Sequence, residues 1–284
     1  MGYDIYTGLL KVFPLSLTSD TKVNFIYENN HPKFDDLKSK YGIEAIAGDG
    51  DDLSKAINLL NWLSSNIYHK PDYPGETPTN SLDLLDYAFG KGAENGINCL
   101  CLAKILAETL LAIGMKAKQV FIMPCSPYDD DNHVVTQVWI ESMNKWIMLD
   151  PTFNVYLKNE KGEYLSILEL RNHLANQEPV FFNKEANHNG NKWTDDTPRE
   201  MTEYFAKNLF YFQFYEIHTF GGSESKFILS PEGFDVKQQQ LSHIGYHIKK
   251  YEDGDSERVQ KWLKNTEKAE INYCSSVDFE AAPN

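Results

Sequence analysis

Cys99, His133 and Asp150 are the side chains whose types and spacing could do chemistry together. Cys99 lies in ENGINCLCLAKILAETLLAIGMKAKQVFIMP, where Asn98 is a good helix N-cap, helix-forming residues follow, and Gly114 stands where a helix would stop. Cys99 therefore opens a helix. Unpaired N–H groups and the partial positive charge at a helix start favour thiolate over thiol, and the same donors can bind an oxyanion. His133 begins one alternating run, HVVTQVWI, and Asp150 ends another, KWIMLD. Glu141, Ser142, Met143 and Asn144 between them make a hairpin-sized loop. With two or four residues in that loop, paired positions sum to 283 or 285, so His133 lies opposite Asp150 or one diagonal step away on the same face. A histidine that accepts the thiol proton, oriented by a carboxylate, completes a Cys-His-Asp device for nucleophilic catalysis.

Periodicity says which elements hold these residues. Cys99, Ala103, Leu106, Leu110 and Ile113 form one helical stripe, and the other faces are also mostly apolar, as in a helix buried on nearly all sides. Residues 51–69 read as a helix through Leu53, Ile57, Leu60, Ser64 and Tyr68. Residues 70–80, with three prolines and a glycine, read as a loop, and Ser81 as the N-cap of a short helix closed by Gly90 and Gly92. Strands are expected at 118–123, 133–140 and 145–150, and helices at 166–175 and 255–268. Residues 183–197 read as a loop or boundary. The expected class is α+β: an N-terminal extension (1–45), a core (46–184), and a C-terminal extension or small α+β domain (185–284).

Composition excludes several roles. Of the 284 residues, 27 are Lys or Arg and 41 Asp or Glu, a formal charge of −14, which disfavours nucleic acid and anionic membrane surfaces. Four cysteines are too few for a disulfide scaffold. The longest apolar stretch is interrupted by Lys104 and Glu108, far short of the ~20 residues of a membrane span. The N-terminus lacks a basic n-region and a long apolar core, so a cytoplasmic location is expected if the chain is full length, and export if a signal peptide was removed.

The run C-x3-A-x10-G-x2-A (Cys99, Ala103, Gly114, Ala117), then NHVVTQVW, then KWIMLDPT, resembles the transglutaminase-like superfamily of papain-type thiol enzymes. WLSSNIY, around Trp62 and Tyr68, is similar to the helix preceding that family's cysteine. The resemblance covers about residues 50–160 and extends to uncharacterised bacterial members sharing SLDLL, NCLCLA, NHVVTQVW and DPTFN. It implies a papain-like core in which a buried helix carrying the cysteine packs on an antiparallel sheet. By the same resemblance, Cys99 is the nucleophile, His133 the general base and acid, and Asp150 the orienting carboxylate. The implied activity is acyl transfer or hydrolysis at an amide through a thioester, on a peptide, protein or other amide-bearing substrate, with no cofactor. Val135, Gln137, Lys118 and Ile97 depart from the family's pattern and bear on substrate rather than on proton chemistry.

Other readings of the same residues stand beside this one. The fold could serve as a non-catalytic peptide- or glycan-binding module. Cys99, Cys101, Cys125 and His133 could ligate zinc, although Cys101 lies about 200° round the helix from Cys99. For the oxyanion the candidates are the Cys99 backbone N–H and the Trp62 indole, the latter equally suited to core packing. Asp129, Asp130 and Asp131 read as a solvated acidic face, and His243 and His247, with Gly245 between them, as strand residues.

Overall fold

The computed structural model describes residues 2–19, 21–72, 80–90 and 92–283. Most of the loop expected at 70–80 lies outside them. Helices are α1 (Gly2–Val12), α2 (Pro32–Tyr41), α3 (Ile43–Ala47), α4 (Asp52–Asn66), α5 (Ser81–Gly90), α6 (Cys99–Ala112), α7 (Ile167–Ala175), α8 (Thr197–Asn208), α9 (Val236–Tyr251), α10 (Glu257–Lys268) and α11 (Ser276–Glu280). Strands are β1 (Ile26–Tyr27), β2 (Ala117–Met123), β3 (His133–Ile140), β4 (Lys145–Leu149), β5 (Leu157–Lys158), β6 (Phe181–Phe182), β7 (Asn187–His188), β8 (Asn191–Lys192), β9 (Tyr211–Thr219), β10 (Gly222–Leu229) and β11 (Asn272–Tyr273).

The organising feature is a sheet in the order β11-β10-β9-β2-β3-β4, with β1 also on β9. Its longer strands pair antiparallel, as in an α+β protein. β3 is buried at every residue, more completely than its alternating sequence suggests, because helices cover both faces of the sheet. On one face Val138, Ile140, Ile147 and Leu149 join the apolar residues of α2 to α6. On the other, Val120, Ile122, Val135 and Met148 meet residues of α1, α7 and α8 together with Phe279 of α11. The 211–229 segment belongs to this sheet, since β9 pairs with β2 from Val120↔Phe214 to Met123↔Tyr211.

Local signals explain the elements around Cys99. Asp51 caps α4 and Asn98 caps α6, their side chains accepting from Ser54 N–H and Cys101 N–H. Gly114 takes the left-handed conformation (φ 85°) just beyond α6, where a side chain would be strained. At α5 the cap is Asn80, which accepts from Asp83 N–H, and Ser81 is already helical. Ser166 and Glu169 form a capping box at α7. Two further expectations need correction. Residues 187–192 form the β7–β8 hairpin rather than a plain loop, turning through Asn189 and Gly190 at φ 53° and 78°. His243 and His247 lie on α9, a helix, not a strand; Gly245 faces open space there and its cost of about 1 kcal/mol is tolerated.

Candidate active site

Cys99 is the first residue of α6, and side chains from the sheet clamp that end of the helix. Gln119 of β2 donates to Leu100 O at 2.6 Å, and Thr136 of β3 donates to Ala103 O at 3.0 Å. The β3–β4 register pairs Thr136 with Leu149, a sum of 285, so His133 and Asp150 stand one diagonal step apart across a four-residue connection. Their side chains meet: His133 Nε2 lies 2.8 Å from Asp150 Oδ2, and both residues are buried. The other carboxylate oxygen, Oδ1, accepts the Thr152 N–H at 2.9 Å, and Asp150 and Val155 exchange backbone hydrogen bonds. Ser64 of α4 donates to Pro151 O, anchoring this turn to the helix that precedes the cysteine.

With Nε2 engaged by Asp150, Nδ1 is the nitrogen of His133 left for the sulfur, and His133 hydrogen-bonds Cys99. Burial pushes the Cys99 thiol up, but hydrogen bonds from His133 and from His69, reinforced by their charge, outweigh it and leave it lowered to about 6. Burial pulls the His133 imidazole down, and the charge and hydrogen bond of Asp150, then those of Cys99, reverse this and raise it to about 10. Both shifts run in the direction that favours a thiolate beside an imidazolium near neutral pH.

His69 was not among the residues singled out from sequence, nor were the two rings that wall the histidine. Phe153 and Tyr204 of α8 stand with ring centroids 5.6 Å from that of His133. Burial, with the neighbouring Asp131 and Cys99 charges, pushes the Tyr204 phenol well up, so it stays neutral beside the sulfur. Asp129 and Asp131 are bridged by Lys207 of α8 at 2.9 and 3.1 Å, and Asp130 pairs with Lys250 of α9. The acidic run is therefore a largely exposed face, as expected, whose three carboxylates are partly offset by two lysines.

The remaining sequence candidates lie elsewhere. Trp62 packs on Phe89 in the α4–α5 layer, at 6.3 Å between centroids. Cys101 is in the apolar core on the α6 side, with its thiol pushed up to about 12 by burial. Cys125 lines a cavity of about 540 Å³ with Tyr6, Phe210 and Lys207, and that cavity includes none of Cys99, His133 and Asp150. Among the described residues no group of three His, Cys, Asp or Glu is arranged to hold a metal ion, so the zinc reading does not fit. His243 instead meets Pro127 O and His247 meets Asp253, with both rings against Trp262. No described helix is long and apolar enough to cross a membrane.

Residues 40–151 match the family model of the Transglutaminase-like superfamily, a span that includes Cys99, His133 and Asp150. That span is thus similar to a superfamily whose members are in general cysteine-dependent enzymes. No curated protein and no solved structure matches it.

Proposed function

We propose that this protein transfers or hydrolyses acyl groups at amide bonds through Cys99, His133 and Asp150. The observation that carries the reading is the geometry at the start of α6, where Cys99 opens the helix beside His133 and His133 Nε2 lies 2.8 Å from Asp150 Oδ2. The thiolate attacks the amide carbonyl; a sulfur lone pair forms the C–S bond and the C=O π pair moves to oxygen. The Cys99 N–H, one of the first-turn groups with no intrahelical partner, is placed to receive that oxyanion, while the Asn98 side chain is spent on Cys101 N–H. The intermediate collapses as Nδ1–H of His133 protonates the departing amine, leaving a thioester. Neutral His133 then takes a proton from water or an amine, which attacks the thioester and expels the thiolate.

Hydrolysis needs no second substrate site and is the favoured outcome. The net charge of −14 favours neutral or basic acyl substrates. The test is product analysis by mass spectrometry after incubation with a peptide-amide mixture, with and without added primary amine. Free carboxylate without amine, absent in Cys99→Ala, supports hydrolysis; product only with amine supports cross-transfer; identical products from wild type and Cys99→Ala refute the reading.

A further inference from the structure

A second imidazole reaches the sulfur, and a dedicated hairpin holds it. The chain leaving α4 runs beside the approach to α6: Lys70 N–H donates to Ile97 O and Ile97 N–H to Tyr68 O, both at 2.9 Å, setting His69 alongside the residues just before Cys99. Asn189, at the left-handed turn of the β7–β8 hairpin, grips the same residue at both backbone groups. Its Oδ1 accepts His69 N–H at 2.7 Å, and its Nδ2 donates to His69 O at 3.1 Å. The neighbouring His188 sets its Nε2 3.2 Å from His69 Nδ1. Phe153 then connects this pair to His133, its ring 5.3 Å from His188 and 5.6 Å from His133.

We infer that His69 is a second catalytic imidazole on Cys99, donating Nε2–H to the sulfur, and that His188 is the positioning residue that holds its ring through Nδ1. The inference rests on the thiol acyl-transfer reading. A thiolate carries no proton, so both imidazoles that hydrogen-bond it must donate. His133 does so from Nδ1 while Nε2–H serves Asp150, which makes it the imidazolium. His69 has only Nε2 free for sulfur, because its Nδ1 lies 3.2 Å from His188 Nε2 and is engaged there. Burial and the nearby His69 lower the His188 imidazole, in keeping with a neutral ring. The other ionisable groups facing the sulfur fit the same count: Tyr204 is a neutral phenol bonded to Asp131, and Asp150 lies behind His133. The benefit falls on deacylation, where thiolate is expelled while His133 is passing its proton, and a donor on sulfur eases that departure.

The experiment is iodoacetamide alkylation of Cys99, quantified by mass spectrometry over a pH titration, in wild type, His69→Ala, His188→Phe, His188→Gln and His133→Ala. The inference expects the alkylation midpoint to rise in His69→Ala by about one unit, roughly tenfold less thiolate on the acid side. It expects a smaller rise in His188→Phe and little change in His188→Gln, whose amide can still donate. His133→Ala should keep a midpoint below the ordinary ~8.5. Nitrogen-15 spectra of histidine-labelled wild type should show His69 protonated at Nε2, a readout that does not depend on variants folding. A wild-type profile in His69→Ala, or a His69 with no proton at Nε2, overturns the inference alone. An ordinary thiol profile in wild type overturns the underlying reading as well.

Discussion

Asp150→Asn keeps the shape of the carboxylate and removes its charge, and the structure dictates two ways for it to fail. Both Asp150 oxygens accept: Oδ2 from His133 Nε2–H and Oδ1 from Thr152 N–H. Asparagine has one acceptor oxygen. If that oxygen takes Thr152 N–H, its amide N–H faces His133 Nε2, which must become an acceptor; the imidazole proton then moves to Nδ1 and the neutral ring cannot take a proton there. If the asparagine flips, its N–H group opposes Thr152 N–H, burying an unmet donor at a cost of about 1–3 kcal/mol. The first orientation avoids that cost and is expected to prevail. Acylation by a p-nitrophenyl ester, followed by release of nitrophenolate, should then fall by about 10⁴-fold, the scale of the same change in Ser-His-Asp triads. Urea unfolding should show a loss of no more than about 3 kcal/mol, so the protein remains folded while its chemistry is lost. Acylation within about threefold of wild type would refute the claim that Asp150 sets the histidine tautomer.

Further outcomes follow from the same structure. Because the Cys99 thiol is lowered to about 6 and the His133 imidazole raised to about 10, the acylation rate should climb as pH rises through the first value, stay level, and fall as the imidazolium is lost through the second; a stopped-flow rate still rising tenfold per unit above neutrality would contradict it. Asn189→Ala removes both hydrogen bonds to the His69 backbone and should destabilise by about 1–3 kcal/mol in urea titration, with slower acylation; a change below about 0.5 kcal/mol would mean the hairpin holds nothing. Lys118 is wholly buried among the rings of Phe25, Trp146 and Phe279, with its ammonium 4.0–4.5 Å from their centroids. Burial pulls its pKa down, Glu280 opposes, and the ammonium donates to Phe279 O. Lys118→Met leaves Glu280 without its counter-charge and should cost about 3 kcal/mol by calorimetry; adding Glu280→Gln should recover most of it, and no recovery would discount that pair.

Much of the site's scaffold was legible because it is local. Asn98, the helix formers after it and Gly114 specify α6, and two alternating runs joined by four residues specify the β3–β4 register, which is why Cys99, His133 and Asp150 come together. His69 and His188 were not legible, since they are 119 positions apart and nothing local to His69 points to a partner. One signal was present: Asn189-Gly190, the strongest short hairpin dipeptide, sits beside His188 within a stretch read as a loop. α9 was missed for the opposite reason, its Gly245 and mixed polarity imitating a strand while Val236 and Ile244 supply its only fully buried contacts. Lys118 read as the start of a strand and as a departure from the family's pattern bearing on substrate, and its burial depends on α11, whose Phe279 comes from 161 residues away.

The central claim is that Cys99 carries the acyl group. Brief reaction with p-nitrophenyl acetate, acid quenching and peptide mapping tests it most directly. The account predicts one acetyl group on the peptide containing Cys99, removed by neutral hydroxylamine as a thioester is, and no such adduct in Cys99→Ala. Acetyl groups spread over surface lysines, with an unmodified Cys99 in a folded protein, would contradict it.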